Sequence, residues 1–491
     1  MATHYAATIT EQDLRTYLTV LASDAYEGRE TGMKGQKMAA AYIQEHFQAF
    51  GIPPVPNAEQ RGMMNGYQQS FPLVLSYPGG ITLAAAGRSF GFPQDYFYFN
   101  EKLRGALEVP QITFVGDGQH VPKDARFAEV ALMLLPSGLV SGDGAVPSGT
   151  LHGLIQQRTA VAAAHGARVL LIASPEEPAM AQAFAHYING PRMRLARAEK
   201  EEEKPQLQTI IISKPMAEVL LQQAGWTWRK ALRKQTKAPV DLECPMQLAY
   251  VPKQQELTGE NVLGYIEGSD KKGELVVVTA HFDHIGKDGD EVYNGADDDG
   301  SGTVAVLELA QAFAKAKAEG HGPRRSMLFM TVSGEEKGLL GSEWYSEHPV
   351  FPLDSTVADL NIDMIGRVDS AHATTAPYVY VIGSRMLSSE LGDINEAQNQ
   401  RHVGLQLDHT FDAPDDPNRF YYRSDHYNFA KHGIPVIFYF SGVHADYHGP
   451  YDEVDRIRFD LLRQRALLVF HTAWELANLG HRITVDKDRS R

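Results

Sequence analysis

Two histidines and several carboxylates in this chain fall where short apolar runs turn polar, and these residues are the ones that could do chemistry. His281 and Asp283 follow the run LVVVTA, and the acidic run Asp297, Asp298, Asp299 precedes a Gly-Ser-Gly that opens a helical pattern. Glu335 and Glu336 follow the run ending near Val332, Asp363 ends ADLNID, and His448 lies in the loop DYHGPYDEVD. Taken singly each has a plain structural reading: a satisfied core histidine, a solvated acidic run, a turn-capping aspartate. Together they supply imidazole nitrogen and carboxylate oxygen, a donor set that suits zinc or a similar cation. Two dications about 3.5–4 Å apart need an anion between them. The acidic run offers one, and adjacent glutamates point in different directions, so one can bind metal while the other stays free.

The elements that must position these residues are strands alternating with helices. After Val251 the apolar runs predict strands over 274–280, 326–332, 357–363, 378–382 and 435–440. Helical patterns fall between them at 303–318, 338–347, 388–400 and 425–432, with a last helix over 459–479. Such alternation predicts an α/β fold, a mostly parallel mixed sheet sandwiched by helices, with ligands bound at the carboxyl ends of the strands.

The remainder of the chain splits in two. Residues 9–50 predict two helices, the first capped by Thr10 and the second stopped by Gly51. The connection LASDAYEGRETG between them is either a plain interhelical loop or a segment reaching the rim of the site. From about Asn65 to Glu243 short apolar runs separated by Gly and Pro predict a smaller inserted β-rich or α/β domain without a catalytic constellation, a lid or spacer. Its run KEEEKPQ at 200–206 reads as a solvated loop. The expected boundaries are 1–70 for N-terminal helices belonging to the catalytic domain, 71–245 for the insert and 246–491 for the catalytic domain.

Composition narrows the partners. At 491 residues the chain is too long for one ordinary core. Lys plus Arg is 46 and Asp plus Glu is 61, a formal net charge of -15 that argues against nucleic acid or anionic membranes as partners. The single Cys244 excludes an intrachain disulfide framework and a cysteine-based zinc site. No segment approaches the roughly 18 consecutive apolar residues of a membrane span. The start MATHYAATIT lacks the flanks of a signal peptide, which fits either a cytoplasmic protein or one whose signal is absent from this sequence.

In this order, HFDHIG, NGADDDGSG, SGEEKGLLGS, NIDMIG and YHGPYDEVD resemble the five metal-site motifs of the co-catalytic zinc aminopeptidases of the aminopeptidase S and aminopeptidase Y type. The resemblance covers about 253–480. LASDAYEGRETG is similar to the opening of that family's larger members, and 70–245 more weakly resembles their protease-associated domain, through QITFVGDG and the Ala-rich helix before RVLLIAS.

The resemblance implies a zinc exopeptidase fold and hydrolysis of N-terminal residues from peptide substrates, with two Zn2+, replaceable by Co2+ or Mn2+, and a water between them. His281 and Asp363 would hold one zinc, Glu336 and His448 the other, and Asp298 would bridge both. Asp283 would hydrogen-bond His281, Glu335 would be the general base, and Tyr447 is the expected oxyanion donor or else a packed loop aromatic. Asp297 and Asp299 become supporting neighbours, and Tyr421, Tyr422, Arg423 and Asp425 could line the substrate pocket. Larger members are commonly exported, so the resemblance favours a periplasmic or secreted location. A glutaminyl cyclase-like acyltransferase, a carboxypeptidase or dipeptidase, and a noncatalytic receptor-like relative are the alternatives.

Overall fold

Strand residues 275–278, Leu-Val-Val-Val, are buried on both faces of their sheet, which is why the run is continuously apolar rather than alternating. In the computed structural model, which describes residues 1–139, 148–197, 206–234, 239–375, 377–413 and 415–487, the chain divides into two units. The first comprises 1–73, 194–196 and 257–491; the second comprises 74–193 and 197–256. The run at 200–205 lies outside the described residues.

Among the described residues the first unit is built on a nine-stranded sheet. In chain order its elements are α1 (Glu11–Leu21), α2 (Lys34–Ala49), β1 (Gln68–Ser76), β2 (Arg192–Leu195), β3 (Gln254–Ile266), β4 (Lys271–His281), α3 (Gly302–Ala318), β5 (Arg325–Val332), α4 (Leu340–Glu347), β6 (Thr356–Ile362), β7 (Tyr378–Ile382), α5 (Ser389–His402), β8 (Gln406–Asp408), β9 (Val436–Phe440) and α6 (Phe459–Asn478). The strands lie in the order β8-β7-β9-β6-β4-β5-β3-β1-β2. The centre is parallel, β4 pairing with β5 on one side and with β6 on the other, and β6 with β9. Antiparallel pairs β3–β5 and β7–β9 make the sheet mixed.

Both faces are covered. Val276, Val278 and Ala280 of β4 join Leu14 of α1, Phe47 of α2, Phe313 of α3 and Phe470 of α6 in one core. Leu275 and Val277 join Tyr345 of α4 and Phe429 in another. Each such buried large side chain contributes about 1.5–3 kcal/mol of burial free energy, so the sheet centre is the rigid part of the unit. Thr10 caps α1 by accepting from the Asp13 N–H at 3.0 Å, and Gly51 follows α2 with φ +76°. The helix expected over 425–432 is only Tyr427–Ala430 and has no side-chain cap, so Asp425 does not cap it.

The connection between α1 and α2 packs against the loops that follow β4. Arg29 is fully buried and donates to four carbonyls: Phe282 at 2.7 Å, Leu21 at 3.1 Å, Asn294 at 2.6 Å and Gly295 at 2.9 Å. One guanidinium thus fixes where the chain runs after β4 and before the acidic run. Arg29→Ala leaves these acceptors without their donor, an expected loss of about 3 kcal/mol or more. Thermal unfolding of the variant checks this; an unchanged midpoint would mean that the loops hold themselves.

The second unit has, among its described residues, an eight-stranded sheet and its own cores. Its centre is parallel, Ala106–Gly116, Val130–Leu134, Val169–Ala173 and Gln208–Ile212, with helices Ser148–Ala164 and Lys214–Gln223 in the connections. Val240–Tyr250 pairs antiparallel with Ala106–Gly116 and Ile81–Ala85, which assigns it to this sheet. No helix among the described residues of either unit is long and apolar enough to cross a membrane.

Candidate metal centre

Four parallel strands of the first unit end side by side, and each delivers its polar residue to the same edge. His281 is the last residue of β4, Asp363 follows β6, Glu335 and Glu336 lie three and four residues beyond β5, and His448 lies in the loop after β9. The acidic run arrives just ahead of α3.

Asp298 is at the middle. Its Oδ1 lies 3.3 Å from His281 Nε2, which is 3.5 Å from Asp363 Oδ1. Its Oδ2 lies 3.1 Å from His448 Nε2, which is also 3.1 Å from Glu336 Oε2. The two oxygens of one carboxylate therefore face two separate groups of donors, and the adjacent glutamates divide between them. Glu335 clusters with His281 and Asp363, Glu336 with Asp298. His448 is the open member, with 39% of its side chain exposed, while the His281 and Asp298 side chains are all but fully buried. His448 also has φ +54° and Met364, next to Asp363, φ +57°. Left-handed backbone costs a non-glycine residue of order 1–2 kcal/mol, and here the strained pair is His448 itself and the residue that follows Asp363.

The neighbours of Asp298 hold the loops. Asp299 accepts from the N–H groups of Gly302 at 2.8 Å, Met364 at 3.0 Å and His281 at 3.3 Å. Asp297 accepts from Gly366, and Asp452 accepts from the N–H groups of Asp297 and Asp298, each at 3.0 Å. The close approach at Gly302 requires its lack of a side chain, since a Cβ there would stand 2.4 Å from the Asp299 carboxylate. Ser424 donates to Asp363 Oδ2 at 2.7 Å and leaves Oδ1 facing His281. The connection LASDAYEGRETG reaches the site: Thr31 donates to Asp283 Oδ2 at 2.6 Å.

Asp283 does hydrogen-bond His281, through its carbonyl, and the proposed pocket lining needs correction. His281 Nδ1 is 3.1 Å from the main-chain carbonyl of Asp283 and 3.8 Å from its carboxylate. The Asp283 carboxylate instead accepts from Thr31 and from the Glu335 N–H at 3.3 Å. Asp283 thus orients His281 through its backbone and ties down the Glu335 loop through its side chain. Of the proposed pocket residues, Arg423 lines the small cavity over the centre, about 40 Å3, together with Asp298, Glu335, Asp363, Phe420, Phe440 and Tyr447. Tyr421 and Tyr422 line a different hollow, with Arg385 and Lys431, and Asp425 is fully buried against Ser342.

His284 was not singled out by its spacing. It is fully buried, and its Nδ1 lies 2.9 Å from Glu336 Oε1. The only sequence signal for it is its place in HFDHIG, three residues after His281.

The electrostatics suit a cation. Burial opposes ionisation of Asp298, but His281, His448 and His284 overcome it and hold its carboxyl well below the ordinary range. Burial pushes the Glu335 carboxyl well above that range; His281 opposes, and the charges of Glu336, Asp363 and Asp425 add. Burial and then the surrounding carboxylates push the Tyr447 hydroxyl up, so it keeps its proton as a donor. Most telling, His281 Nε2, Asp298 Oδ2 and Glu336 Oε1 are buried with no hydrogen-bond partner, His281 on the Oδ1 side of Asp298 and Glu336 in the group on its Oδ2 side. Buried polar atoms left unpaired are costly, and a divalent cation in each of the two groups would satisfy them. The donor set fits the group that the sequence implies.

Residues 261–473 match the model of peptidase family M28. This is a peptidase family M28 domain. The chain is 29% identical over 224 residues to a "Probable leucine aminopeptidase" of Trichophyton verrucosum, covering 44% of this chain and 57% of that protein. It is 31% identical over 201 residues to a "Probable glutamate carboxypeptidase AMP1" of Arabidopsis thaliana, covering 40% of this chain and 26% of that protein. In both cases the match spans less than two thirds of the relative's length. Over nearly its whole length the chain also shares its fold with the solved aminopeptidase from Aneurinibacillus sp. strain AM-1, with TM-score 0.54, 18% identity, and coverage of 99% of this chain and 98% of that one.

Proposed function

We propose that this protein is a metallo-aminopeptidase that removes N-terminal residues from peptides with two zinc ions. The observation that carries this reading is the division of donors around Asp298, one group on each of its oxygens, with Glu335 beside them. His281 and Asp363 would hold one zinc, His448 and Glu336 the other, and Asp298 would bridge. When bound, the zinc pair supplies Lewis acidity, activating a water and polarising a carbonyl. Co2+ or Mn2+ would suit the same ligands.

The chain's own residues do the rest. Glu335, with its raised basicity, takes the proton of the attacking water as the bond to the carbonyl carbon forms, and returns it to the leaving amine as the C–N bond breaks. Tyr447, stacked on His448 with ring centroids 3.9 Å apart, donates its hydroxyl proton to the oxygen of the tetrahedral intermediate. Nearby carboxylates hold the free α-amine of the substrate. Phe420, Phe438 and Phe440 give the cavity an apolar wall for its first side chain. In the second unit no comparable cluster of His and carboxylates occurs among the described residues, and this reading gives that unit, a protease-associated-like insert, no chemical step. A location outside the cytoplasm belongs to the same reading.

A panel of unblocked aminoacyl anilides, N-blocked controls and N-terminal glutaminyl peptides, with and without chelator, tests it. Cleavage of the unblocked anilides alone, abolished by chelator and restored by zinc, is expected. Cyclised glutaminyl product without anilide cleavage would replace hydrolysis by acyl transfer.

A further inference from the structure

The centre contains three inward-facing imidazoles, and the scheme above uses two. His284 is anchored by its own backbone, its N–H donating to the Arg29 carbonyl at 3.3 Å and its chain forming a bridge with Glu30. Its ring is fully buried, and its Nδ1 lies 2.9 Å from Glu336 Oε1 and 3.9 Å from Asp298 Oδ2. The ring stands edge-on to that of His448, with centroids 5.8 Å apart. Space for it exists because residue 295 is glycine at φ +52°; a Cβ there would stand 2.5 Å from His284 Cγ.

The short contact with Glu336 lacks the alignment of a hydrogen bond. Neither ring nitrogen of His284 has a hydrogen-bond partner, and neither has Glu336 Oε1. His281 Nε2 behaves in the same way toward Asp298, at 3.3 Å. Two donors on one tetrahedral zinc, each about 2.0–2.1 Å from it, stand roughly 3.3 Å apart without pointing at each other. A buried imidazole whose only task was to orient a carboxylate would aim its N–H along the N···O line, forming a charge-assisted bond.

We propose that His284 is a further protein ligand of the metal position held by Glu336 and His448, bound through Nδ1. The inference rests on the reading of this centre as a zinc site. It gives the two positions unequal donor sets: two imidazoles, Asp298 and Glu336 on one, and a single imidazole with Asp298 and Asp363 on the other. Imidazole is a preferred zinc donor, so the position with His284 fills first when metal-free protein is titrated with zinc.

The test uses zinc alone, without substrate. Chelator-competition titration of the metal-free full chain should show two unequal sites. In His284→Asn, whose amide keeps an N–H near the Nδ1 position, the tighter one should weaken by more than about 100-fold, beyond the 10–100-fold typical of losing an orienting partner. Retention of the tight site within about tenfold would overturn the proposal, because an N–H donor to Glu336 would then suffice. A crystal structure of the zinc-loaded wild type decides independently of how the variant folds. His284 Nδ1 about 2.0–2.2 Å from zinc supports the proposal; two bound zincs with Nδ1 beyond about 3 Å refute it while leaving the aminopeptidase reading in place. Failure to take up zinc at all would overturn both.

Discussion

Glu335→Ala is expected to keep both zincs and to lose about 10²–10⁴-fold in turnover, the range for removing a positioned general base. The argument is one of division of labour. Glu336 faces His448 at 3.1 Å and His284 at 2.9 Å, so its carboxylate is committed to one metal position. Glu335 points to the other side, toward His281 and Asp363, where Asp298 already supplies the third donor. Its carboxyl is pushed above the ordinary range by burial and by neighbouring carboxylates, which raises its basicity, and its N–H is fixed to Asp283. Two measurements on one preparation are needed: kcat on an aminoacyl anilide, and zinc content by elemental analysis. Full activity would reject Glu335 as the base. Loss of one zinc would reassign it as a ligand of the position that His281 and Asp363 hold.

The second large effect is expected at Asp298. Every other proposed ligand serves one position, whereas its Oδ1 faces His281 and its Oδ2 faces His448. Asp298→Ala should therefore remove both metals, not one, and with them more than about 10³-fold of the activity. The metal-free variant should remain folded, because the acidic run is held by Asp452 on main-chain N–H groups and by the side chains of Asp297 and Asp299, none of which the substitution touches. Elemental analysis after dialysis against zinc, beside a thermal unfolding curve, checks both halves. Retention of two zincs would remove Asp298 as the bridge.

The sheet centre was legible because Leu275–Val278 and Met327–Met330 are apolar without interruption and end abruptly at polar residues, the signature of strands buried on both faces. The outer strands were not. β1 contains Pro72 and β3 contains Gly259 and Gly264, residues that argue against a strand in isolation. Their reason is tertiary: Phe71 packs over Gly259 and Phe47 over Gly264, where a Cβ would collide with either ring. In the site, residue types where apolar runs turn polar pointed to His281, the acidic run, the Glu335-Glu336 pair, Asp363 and His448; the choice of Asp298 and Glu336 came from the family resemblance, and the structure brings these residues together. How Asp283 divides its work between carbonyl and carboxylate depends on a rotamer, and a rotamer leaves no trace in spacing. His284 escaped because a lone histidine three residues past a ligand has no partner until Gly295 and Glu336 are brought to it. The helix expected over 425–432 was overestimated: only Tyr427–Ala430 is helical, and Phe429 and Ala430 join the core that holds Tyr345 and Val436.

Arg29 donates to the carbonyls of Phe282, Asn294 and Gly295, residues that the chain reaches only after the whole second unit. During synthesis α1 and α2 therefore leave the ribosome with no sheet to cover and with only the Leu21 carbonyl in place for this guanidinium, whose other three acceptors follow more than 250 residues later. The second unit, nearly continuous in sequence, can complete its fold in that interval, so assembly begins in the middle of the chain and the metal centre closes last.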